Sequence, residues 1–387
     1  MKIPVVLAVI YSIVLYSCSK NSTGGNPVTP PDTTHTGNTD TGTGTGAVHL
    51  QYRGADLSFL PEIEQAGTVF YDSTGAKPAL DIFKEYGCNV VRVRLWYQPA
   101  GVHSALPEVL SFCRQIHDAG MQVLLDFHYS DTWADPSHQS TPAAWAGLSP
   151  GVLKDSVKAY TQRVTAMLIA QNTPPAIIQV GNEINAGMLW DAGKVTGFTD
   201  ANWTQFAALL KSGIEGIKAA DAANSILIML HYAEVDGAAD FFTKMSSLGV
   251  TYNIAGLSYY PWWAEKDLNY VQQQFNAVAA LDKKVFIAET AYPWTLGWKD
   301  YTNNVVGENG QLITAYPATP QGQYNFLMQL KTMLAAIPNS RGIGFCYWAP
   351  DWVAFKGNTA TDGSNWENLT LFDFNNKALQ GLKAYGE

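Results

Sequence analysis

Two short apolar stretches of this 387-residue chain each end abruptly in a glutamate. Residues 176–183 end at Glu183, and residues 284–289 end at Glu289. Continuously apolar runs of this length are typical of strands that are buried on both faces of a parallel sheet. Carboxylates at the carboxyl ends of such strands meet at one edge, where (β/α)8 barrels build their active sites. A facing pair of this kind is the apparatus that hydrolyses glycosidic bonds.

The elements that must position these glutamates are eight apolar strands separated by helical patterns. Strands that alternate with helices pair in parallel, and eight such units predict an α/β fold, the (β/α)8 TIM barrel. The predicted strands are residues 52–57, 88–96, 122–128, 176–183, 225–231, 254–259, 284–289 and 342–348. Helical patterns include residues 78–86, 106–118, 155–171, 203–221 and 321–336. Residues 48–387 therefore predict a single catalytic domain.

The predicted strands end in polar or aromatic residues that a packed core does not favour. One such residue is compatible with an ordinary hydrogen bond near a strand end, but all eight ends agree. The turns before the strands are generic, as expected of the face that only stabilises a barrel. The predicted substrate-binding residues at these ends are Asp56, Arg94, His128, Asn182, His231, Tyr259 and Trp348.

The N-terminal residues predict a lipid-anchored protein. Residues 1–17 have the form of a lipoprotein signal peptide, with Lys2 before an apolar stretch too short to span a membrane. The sequence Leu15-Tyr-Ser-Cys18 resembles a bacterial lipobox, so Cys18 is the predicted lipidation site, with cleavage near Ser17 and an unmodified cysteine as the alternative. Residues 18–47, rich in Thr, Gly and Pro, predict a flexible tether. We expect attachment to the bacterial cell envelope, at the outer membrane or cell surface.

Composition excludes several classes of partner. A net charge of −9 with scattered basic residues argues against nucleic acid or a polyanionic substrate. The twelve tryptophans fit a carbohydrate ligand, because their flat faces stack on sugar rings. Cys88, Cys113 and Cys346 lack CxxC spacing, so they predict buried free thiols. A monomer is the default expectation.

Five segments together indicate a known family. They are Arg53-Gly-Ala-Asp-Leu-Ser58, Val91-Arg-Val-Arg-Leu-Trp96, Asp126-Phe-His-Tyr-Ser-Asp-Thr-Trp-Ala-Asp-Pro136, Gln179-Val-Gly-Asn-Glu-Ile-Asn185 and Ala288-Glu-Thr-Ala-Tyr-Pro-Trp294. These segments resemble the family 53 endo-β-1,4-galactanases, which are retaining (β/α)8 glycosidases. The resemblance runs from about residue 51 to the C-terminus, and its segment from Asp126 is long and the most specific.

The resemblance implies that Glu183 is the acid/base and Glu289 the nucleophile of a double displacement. It implies internal cleavage of β-1,4-galactan or type I arabinogalactan, the side chains of pectin, with no cofactor needed for the chemistry. Glu289 must stay ionised, and Arg94 and Tyr259 are candidate donors to it. Glu183 must hold a proton, so it needs apolar cover or a nearby negative charge.

Substrate contacts are assigned more broadly. Asn182 is placed to bond the sugar 2-hydroxyl, and His128 and His231 to frame the carboxylates and the sugar. Trp348 is the best candidate for stacking beneath the reacting sugar. Further predicted contacts are Asp131, Trp133, Trp294 and Asp351, and other tryptophans that could line remote subsites are Trp96, Trp262, Trp263 and Trp352.

Metal ligation is predicted only for calcium. His128 and His231 lie too far apart in sequence to form a local zinc motif. Bacterial members of the resembled family can bridge two loops with calcium, which implies oxygen ligands from Asp300, Asn304 and Asp362. Plain turn chemistry is the alternative for these residues.

Two other functions remain open at this point. The first is another β-1,4-glycanase of the same clan, a mannanase or cellulase, because the pair of glutamates does not discriminate between sugars. The second is a non-catalytic, surface glycan-binding lipoprotein, which the lipobox and tryptophans fit equally well. A binding protein would have no need of Glu183 and Glu289 together.

Overall fold

Eight parallel strands close into a barrel in the computed structural model, which describes residues 49–387. Each strand pairs with its neighbour in the chain, and the last pairs with the first, which confirms the predicted TIM barrel. The predicted signal peptide, Cys18, the tether of residues 18–47 and residue 48 lie outside the described residues. The strands are β1 Tyr52–Asp56, β2 Val90–Leu95, β3 Gln122–Phe127, β4 Ile177–Val180, β5 Leu227–Tyr232, β6 Ile254–Tyr259, β7 Lys284–Thr290 and β8 Gly342–Trp348.

Helices surround the barrel. The α-helices are α1 Leu60–Gln65, α2 Ala79–Glu85, α3 Leu106–Asp118, α4 Pro150–Ala170, α5 Trp203–Ala220, α6 Ala238–Ser247, α7 Leu268–Ala279 and α8 Pro320–Ala335. Helices α2 to α8 connect successive strands, and α1 is an addition in the loop after β1. After β8 the chain ends in a 3-10 helix, Gln380–Tyr385, at the position of an eighth outer helix.

Short strands and 3-10 helices lie in the loops. Two antiparallel pairs of two-residue strands are Phe70–Tyr71 with Ala76–Lys77 and Gly187–Met188 with Gly193–Lys194. The remaining 3-10 helices are Ala143–Trp145, Ile184–Ala186, Asn309–Gln311 and Pro338–Ser340. Among residues 49–387, no helix is long and apolar enough to cross a membrane.

Helix α3 shows how the outer layer forms from sequence. Its buried residues are Val109, Phe112, Cys113 and Ile116, an i, i+3, i+4, i+7 stripe that faces the strands. The helix ends where Gly120 takes a left-handed conformation, with φ of 74°, which glycine adopts without steric cost. Cys113, like Cys88 and Cys346, is a buried free thiol, as the sequence predicted.

Alternate residues of each strand face opposite sides of the barrel wall. In β2, Val91 and Val93 belong to the large core between strands and helices, whereas Val90 belongs to a separate small cluster inside the barrel. Arg92 has the same parity as Val90 and extends into the barrel one layer higher, where it meets Asp56 and Asp126. Towards the carboxyl ends of the strands, the apolar interior is therefore covered by a layer of polar side chains that includes Arg92, Asp56 and Asp126. We call it the polar layer.

Candidate active site

A cleft of about 440 Å³ opens at the carboxyl ends of the barrel strands. Both predicted catalytic glutamates line it, together with six of the predicted substrate-binding residues. Those six are Asp56, Arg94, His128, Trp133, Asn182 and Trp348. The cleft therefore lies at the face of the barrel where the strand-end pattern predicted the active site.

Glu183 follows β4 in an unusual backbone conformation. Its φ of 46° and ψ of 54° are left-handed, a region that residues other than glycine rarely adopt. Such strain costs about 1–3 kcal/mol and persists only where the surrounding structure fixes it, most often at functional sites. The carboxylate is positioned by Ser258, whose hydroxyl donates to Oε1 at 2.7 Å.

Glu289 is brought into the cleft by an irregularity in β7. In the pairing of β6 with β7, Leu257 is opposite Ile287 but Ser258 is opposite Glu289, so Ala288 is an extra residue. A bulge of this kind redirects the side chain that follows it, and here it directs Glu289 inwards. The carboxylate receives Arg92 at 2.9 Å on Oε1 and the hydroxyl of Tyr260 at 3.0 Å on Oε2.

The two carboxylates lie close to each other. Oxygens of Glu183 and Glu289 and a ring nitrogen of His231 all lie within 4.8 Å of one another. This spacing suits a retaining glycosidase, in which the carboxyl groups are about 5–5.5 Å apart. The trio is a poor metal site, because both nitrogens of His231 are within 2.9 Å of Asn182 and Ser258 and the Arg92 guanidinium adjoins Glu289.

The surroundings of the two glutamates differ in charge. Burial raises the pKa of Glu183 well above its usual range, and the negative charge of Glu289 raises it further. Burial also raises the pKa of Glu289, but the guanidinium of Arg92 opposes this shift, and so does the hydroxyl of Tyr260. Glu183 therefore retains its proton to higher pH than Glu289, which is the order that an acid and a nucleophile need.

Arg92 holds the polar layer together beneath the cleft. Its guanidinium contacts Asp56 at 2.7 Å, Asp126 at 2.8 Å and the Asn182 side chain at 2.7 Å, in addition to Glu289. The side chain is only 1% exposed, so these partners must satisfy a charge that water cannot reach. The sequence prediction named Arg94 and Tyr259, not Arg92, as the donors to Glu289.

Arg94 and Tyr259 require correction as donors to Glu289. The guanidinium of Arg94 lies one layer higher, 4.0 Å from the ring centre of Trp133, and its Nε donates to Ser104 at 3.0 Å. Tyr259 faces outwards, where its hydroxyl donates to the backbone oxygen of Glu265 at 3.0 Å. The next residue, Tyr260, occupies the inward position that the prediction gave to Tyr259.

His128 and His231 lie in the polar layer, but in different positions. His128 lines the cleft and bonds Asp126 at 3.0 Å through Nε2, and burial lowers its pKa. His231 is wholly buried beneath Asn182 and Ser258 and does not line the cleft. Burial lowers its pKa well below the usual range, so it is neutral. The prediction that His231 frames the sugar is thus corrected: it contacts the residues that hold Glu183.

Three further predicted contacts do not line the cleft. Asp131 accepts the backbone N–H groups of Gln98 at 3.0 Å and Ala143 at 2.8 Å, and so fixes loops. Trp294 packs against Phe374, with 4.7 Å between ring centres. Asp351 is completely buried, and neither carboxylate oxygen has a hydrogen-bond partner among residues 49–387. The side chains of Asp131, Trp294 and Asp351 are therefore corrected from substrate contacts to parts of the scaffold.

Aromatic side chains form one wall of the cleft. Trp348, which ends β8, packs edge-on against Trp366 at 4.6 Å and Trp352 at 6.0 Å between ring centres. Trp352 stacks in turn on Phe59 at 4.0 Å. Trp133 lies across from Trp348, with 6.3 Å between their ring centres. These rings fix the orientation of Trp348 and leave an aromatic surface on the cleft.

The predicted calcium ligands separate into two groups. Asp300 and Asn304, in the loop after β7, each leave a buried side-chain oxygen without a partner in the described part of the chain. The unpredicted Glu367, after β8, adjoins them: it accepts the backbone N–H of Asp300 at 3.4 Å and has its own unpartnered Oε2. Asp362 requires correction, because its exposed carboxylate lies 3.2 Å from the ammonium of Lys356.

Sequence reasoning missed Arg92, Ser258, Tyr260 and Glu367. Arg92, Ser258 and Tyr260 lie an even number of residues from other inward-facing residues of the same segment, which are either predicted site residues or apolar core residues. A strict two-residue period would therefore have pointed to them. Glu367 lies in a long loop, and no local pattern distinguishes it from other acidic loop residues.

The barrel and its facing carboxylates define the protein as a glycoside hydrolase of the (β/α)8 class. The sequence model of Glycosyl hydrolase family 53 matches residues 52–385. The chain therefore belongs to glycosyl hydrolase family 53, as the resemblance implied.

Individual relatives agree with this family. An arabinogalactan endo-β-1,4-galactanase of Cellvibrio japonicus is 37% identical over 338 residues, covering 84% of this chain and 87% of that protein. An endo-β-1,4-galactanase of Bacillus subtilis is 31% identical and covers 86% of this chain and 85% of that protein. The solved catalytic domain of an Ignisphaera aggregans family 53 protein has a TM-score of 0.81 at 35% identity, covering 89% and 97% of the two chains.

Proposed function

We propose that the protein hydrolyses internal β-1,4-galactosidic bonds in galactan and type I arabinogalactan with retention of configuration. The observation that carries this proposal is the pair of carboxylates within 4.8 Å, set in a cleft with an aromatic wall. The galactanase names of the relatives favour galactan over mannan or cellulose as the polymer. A purely glycan-binding role is disfavoured, because each glutamate is held by its own set of donors.

The chemistry would proceed in two displacements. A carboxylate oxygen of Glu289 attacks the anomeric carbon while Glu183 gives its proton to the departing glycosidic oxygen. Glu183, now ionised, takes a proton from water, and the resulting hydroxide displaces Glu289 from the sugar. Arg92 and Tyr260 hold the nucleophile, and Trp348 offers an aromatic face to the sugar.

The test is product analysis on linear β-1,4-galactan, with mannan, cellulose and xylan in parallel. We expect mixed oligosaccharides early in the reaction, as internal cleavage produces. Glu183→Gln should lower kcat by about 10²–10⁴-fold, the range typical of a lost acid/base. Near wild-type galactan hydrolysis by this variant would refute the proposed roles, and preferential cleavage of another polymer would refute the substrate.

We also infer a structural calcium ion held by Asp300, Asn304 and Glu367. The support is their three buried, unpartnered oxygens, which are the hard ligands that calcium prefers. Calcium binding should raise Tm, and chelation should lower it. Asp300→Ala should remove the calcium dependence of Tm, whereas Asp362→Ala should retain it. Equal calcium dependence in both variants would contradict this ligand set.

The remaining proposals concern location and assembly. We infer that Cys18 carries a lipid that anchors the enzyme to the envelope, on the support of the lipobox-like sequence. Palmitate labelling of the full chain in a bacterial host should be lost in Cys18→Ala. We propose a monomer, which is the default assembly for a single (β/α)8 barrel. Light scattering during gel filtration would test this, and a dimeric mass would reject it.

A further inference from the structure

Ser258 is a small hydroxyl residue in β6 that lies between the predicted acid/base and a buried histidine. Its Oγ is 2.7 Å from Oε1 of Glu183 and 2.9 Å from Nε2 of His231. The side chain faces the barrel interior and is 3% exposed, so water competes little for its hydroxyl. Nothing in the two-glutamate mechanism requires a serine at this place.

The hydroxyl has one proton to share between two acceptors. His231 is neutral, so it carries one ring proton, on Nδ1 near Asn182 or on Nε2 near Ser258. If Nε2 carries it, the histidine donates to Oγ and the serine proton is free for Glu183. If Nδ1 carries it, Nε2 and Oε1 compete, and an ionised carboxylate is the stronger acceptor. Ser258 therefore donates to Oε1 in either tautomer once Glu183 is ionised, and in the Nε2–H tautomer it also does so while Glu183 is protonated. Two donors face Nδ1 and favour that tautomer: the side-chain amide of Gln179 at 3.1 Å and the backbone N–H of Glu183 at 3.4 Å.

The second oxygen of Glu183 is in a different situation. Oε2 receives no hydrogen bond from residues 49–387, and the glutamate lines the cleft. A carboxyl group carries one acidic proton. If Oε1 is occupied as an acceptor by Ser258, the proton belongs on Oε2, the oxygen left for the substrate.

We propose that Ser258 is a positioning residue that keeps Oε1 of Glu183 as a hydrogen-bond acceptor and so places the acidic proton on Oε2. The same bond is strongest when Glu183 is ionised, so it stabilises the form that activates water in the second displacement. This inference rests on the proposed function, since it assigns how the acid/base of that reaction is oriented.

Several charged and titratable groups face Glu183, and the role of Ser258 is distinct from theirs. Glu289 and Asp135 add negative charge that favours the protonated form, whereas Arg92 favours the ionised form. Ser258 opposes the raised pKa through a direct hydrogen bond rather than through charge. The facing groups, by element, are Arg92 of β2, Asp135 after β3, His231 of β5, Tyr260 after β6 and Glu289 of β7.

The first test is the pH dependence of kcat/KM on galactan for Ser258→Ala. Loss of the donor should raise the pKa of Glu183 and move the basic limb of the profile upward by about one pH unit, with a fall in kcat. Ser258→Thr keeps a hydroxyl, so its basic limb should lie at the same pH as in the wild type. Thr161→Val, which removes a buried hydroxyl that bonds Tyr129 far from the cleft, should leave the limb in place.

A second measurement separates this inference from the proposed function. Titration of the Glu183 carboxyl by ¹³C NMR, in wild type and Ser258→Ala, reports its pKa without any substrate. A higher pKa in the variant supports the inference even if galactan is not the polymer cleaved. An unchanged or lowered pKa in a variant with wild-type Tm would overturn it, as would a basic limb that stays fixed while activity falls.

Discussion

The substitution Tyr260→Phe tests how Glu289, the proposed nucleophile, is kept ionised. The hydroxyl of Tyr260 donates to Oε2 of Glu289 at 3.0 Å, and the substitution removes this bond alone. The ring should remain in place, because it packs against Trp262, Trp263 and Trp366 with 5.2–5.8 Å between ring centres. The variant is therefore expected to fold with a Tm close to that of the wild type.

The size of the effect follows from the charge on the acceptor. A hydrogen bond to a charged group contributes about 1.5–3 kcal/mol, and one pKa unit corresponds to about 1.4 kcal/mol. Loss of the bond should raise the pKa of Glu289 by about one to two units. Arg92, 2.9 Å from the other oxygen, still favours the ionised form, so activity should persist above the shifted pKa.

The assay is kcat/KM on galactan across pH. Because Glu289 must be ionised to attack, the acidic limb of the profile should move to higher pH in Tyr260→Phe. Tyr259→Phe is the matched control, since the hydroxyl of Tyr259 bonds Glu265 outside the cleft. An acidic limb that stays in place in Tyr260→Phe, or that moves equally in both variants, would refute the reasoning.

Three other substitutions probe the polar layer, the aromatic wall of the cleft and the scaffold around it. Arg92→Met should lower the free energy of unfolding by about 3–5 kcal/mol, measured in urea, because it leaves buried carboxylates unpaired; a loss below 1 kcal/mol would contradict the role given to Arg92. Trp348→Ala should lower kcat/KM at least about tenfold, equivalent to about 1.4 kcal/mol of lost stacking, with Trp294→Ala as the control outside the cleft. Asp351 has its pKa raised by burial, so folding takes up a proton and stability falls as pH rises above the unfolded value of about 3.9. The Tm advantage of Asp351→Asn should accordingly grow between pH 5 and pH 8, and a constant difference would argue against a buried acid.

The barrel itself was predictable because its strands are short, apolar and buried on both faces. The predicted strands 254–259 and 342–348 match β6 and β8, and 52–57 exceeds β1 by one residue. The prediction ran too far at β4, which ends at Val180 rather than at Glu183. The reason is that Glu183 belongs to a left-handed turn, and a polar residue after an apolar run does not reveal the backbone conformation.

The loops proposed to hold calcium and the side chains outside the cleft were harder to predict, because their positions depend on long segments meeting in space. Glu367 reaches Asp300 across a sequence separation of 67 residues, through loops with no hydrophobic period. Asp351 and Trp294 looked like ligand contacts because each follows a barrel strand closely. Their burial is set by the fold of the loops after β7 and β8, which local sequence does not specify.

The alternation of inward and outward side chains along each strand explains which residues of the cleft could be predicted from the sequence and which could not. Asp56, Arg92, Asp126, Gln179, His231 and Ser258 all face inwards, and each meets another through a hydrogen bond, so one polar layer supports both glutamates. A two-residue period starting from Ile254 selects Ser258 and Tyr260 and excludes Tyr259. The same rule fails at β7, where Ala288 and Glu289 both face the interior because of the bulge opposite Ser258. The proposed nucleophile, Glu289, therefore reaches the cleft through a departure from ideal strand geometry, which alternation alone cannot predict.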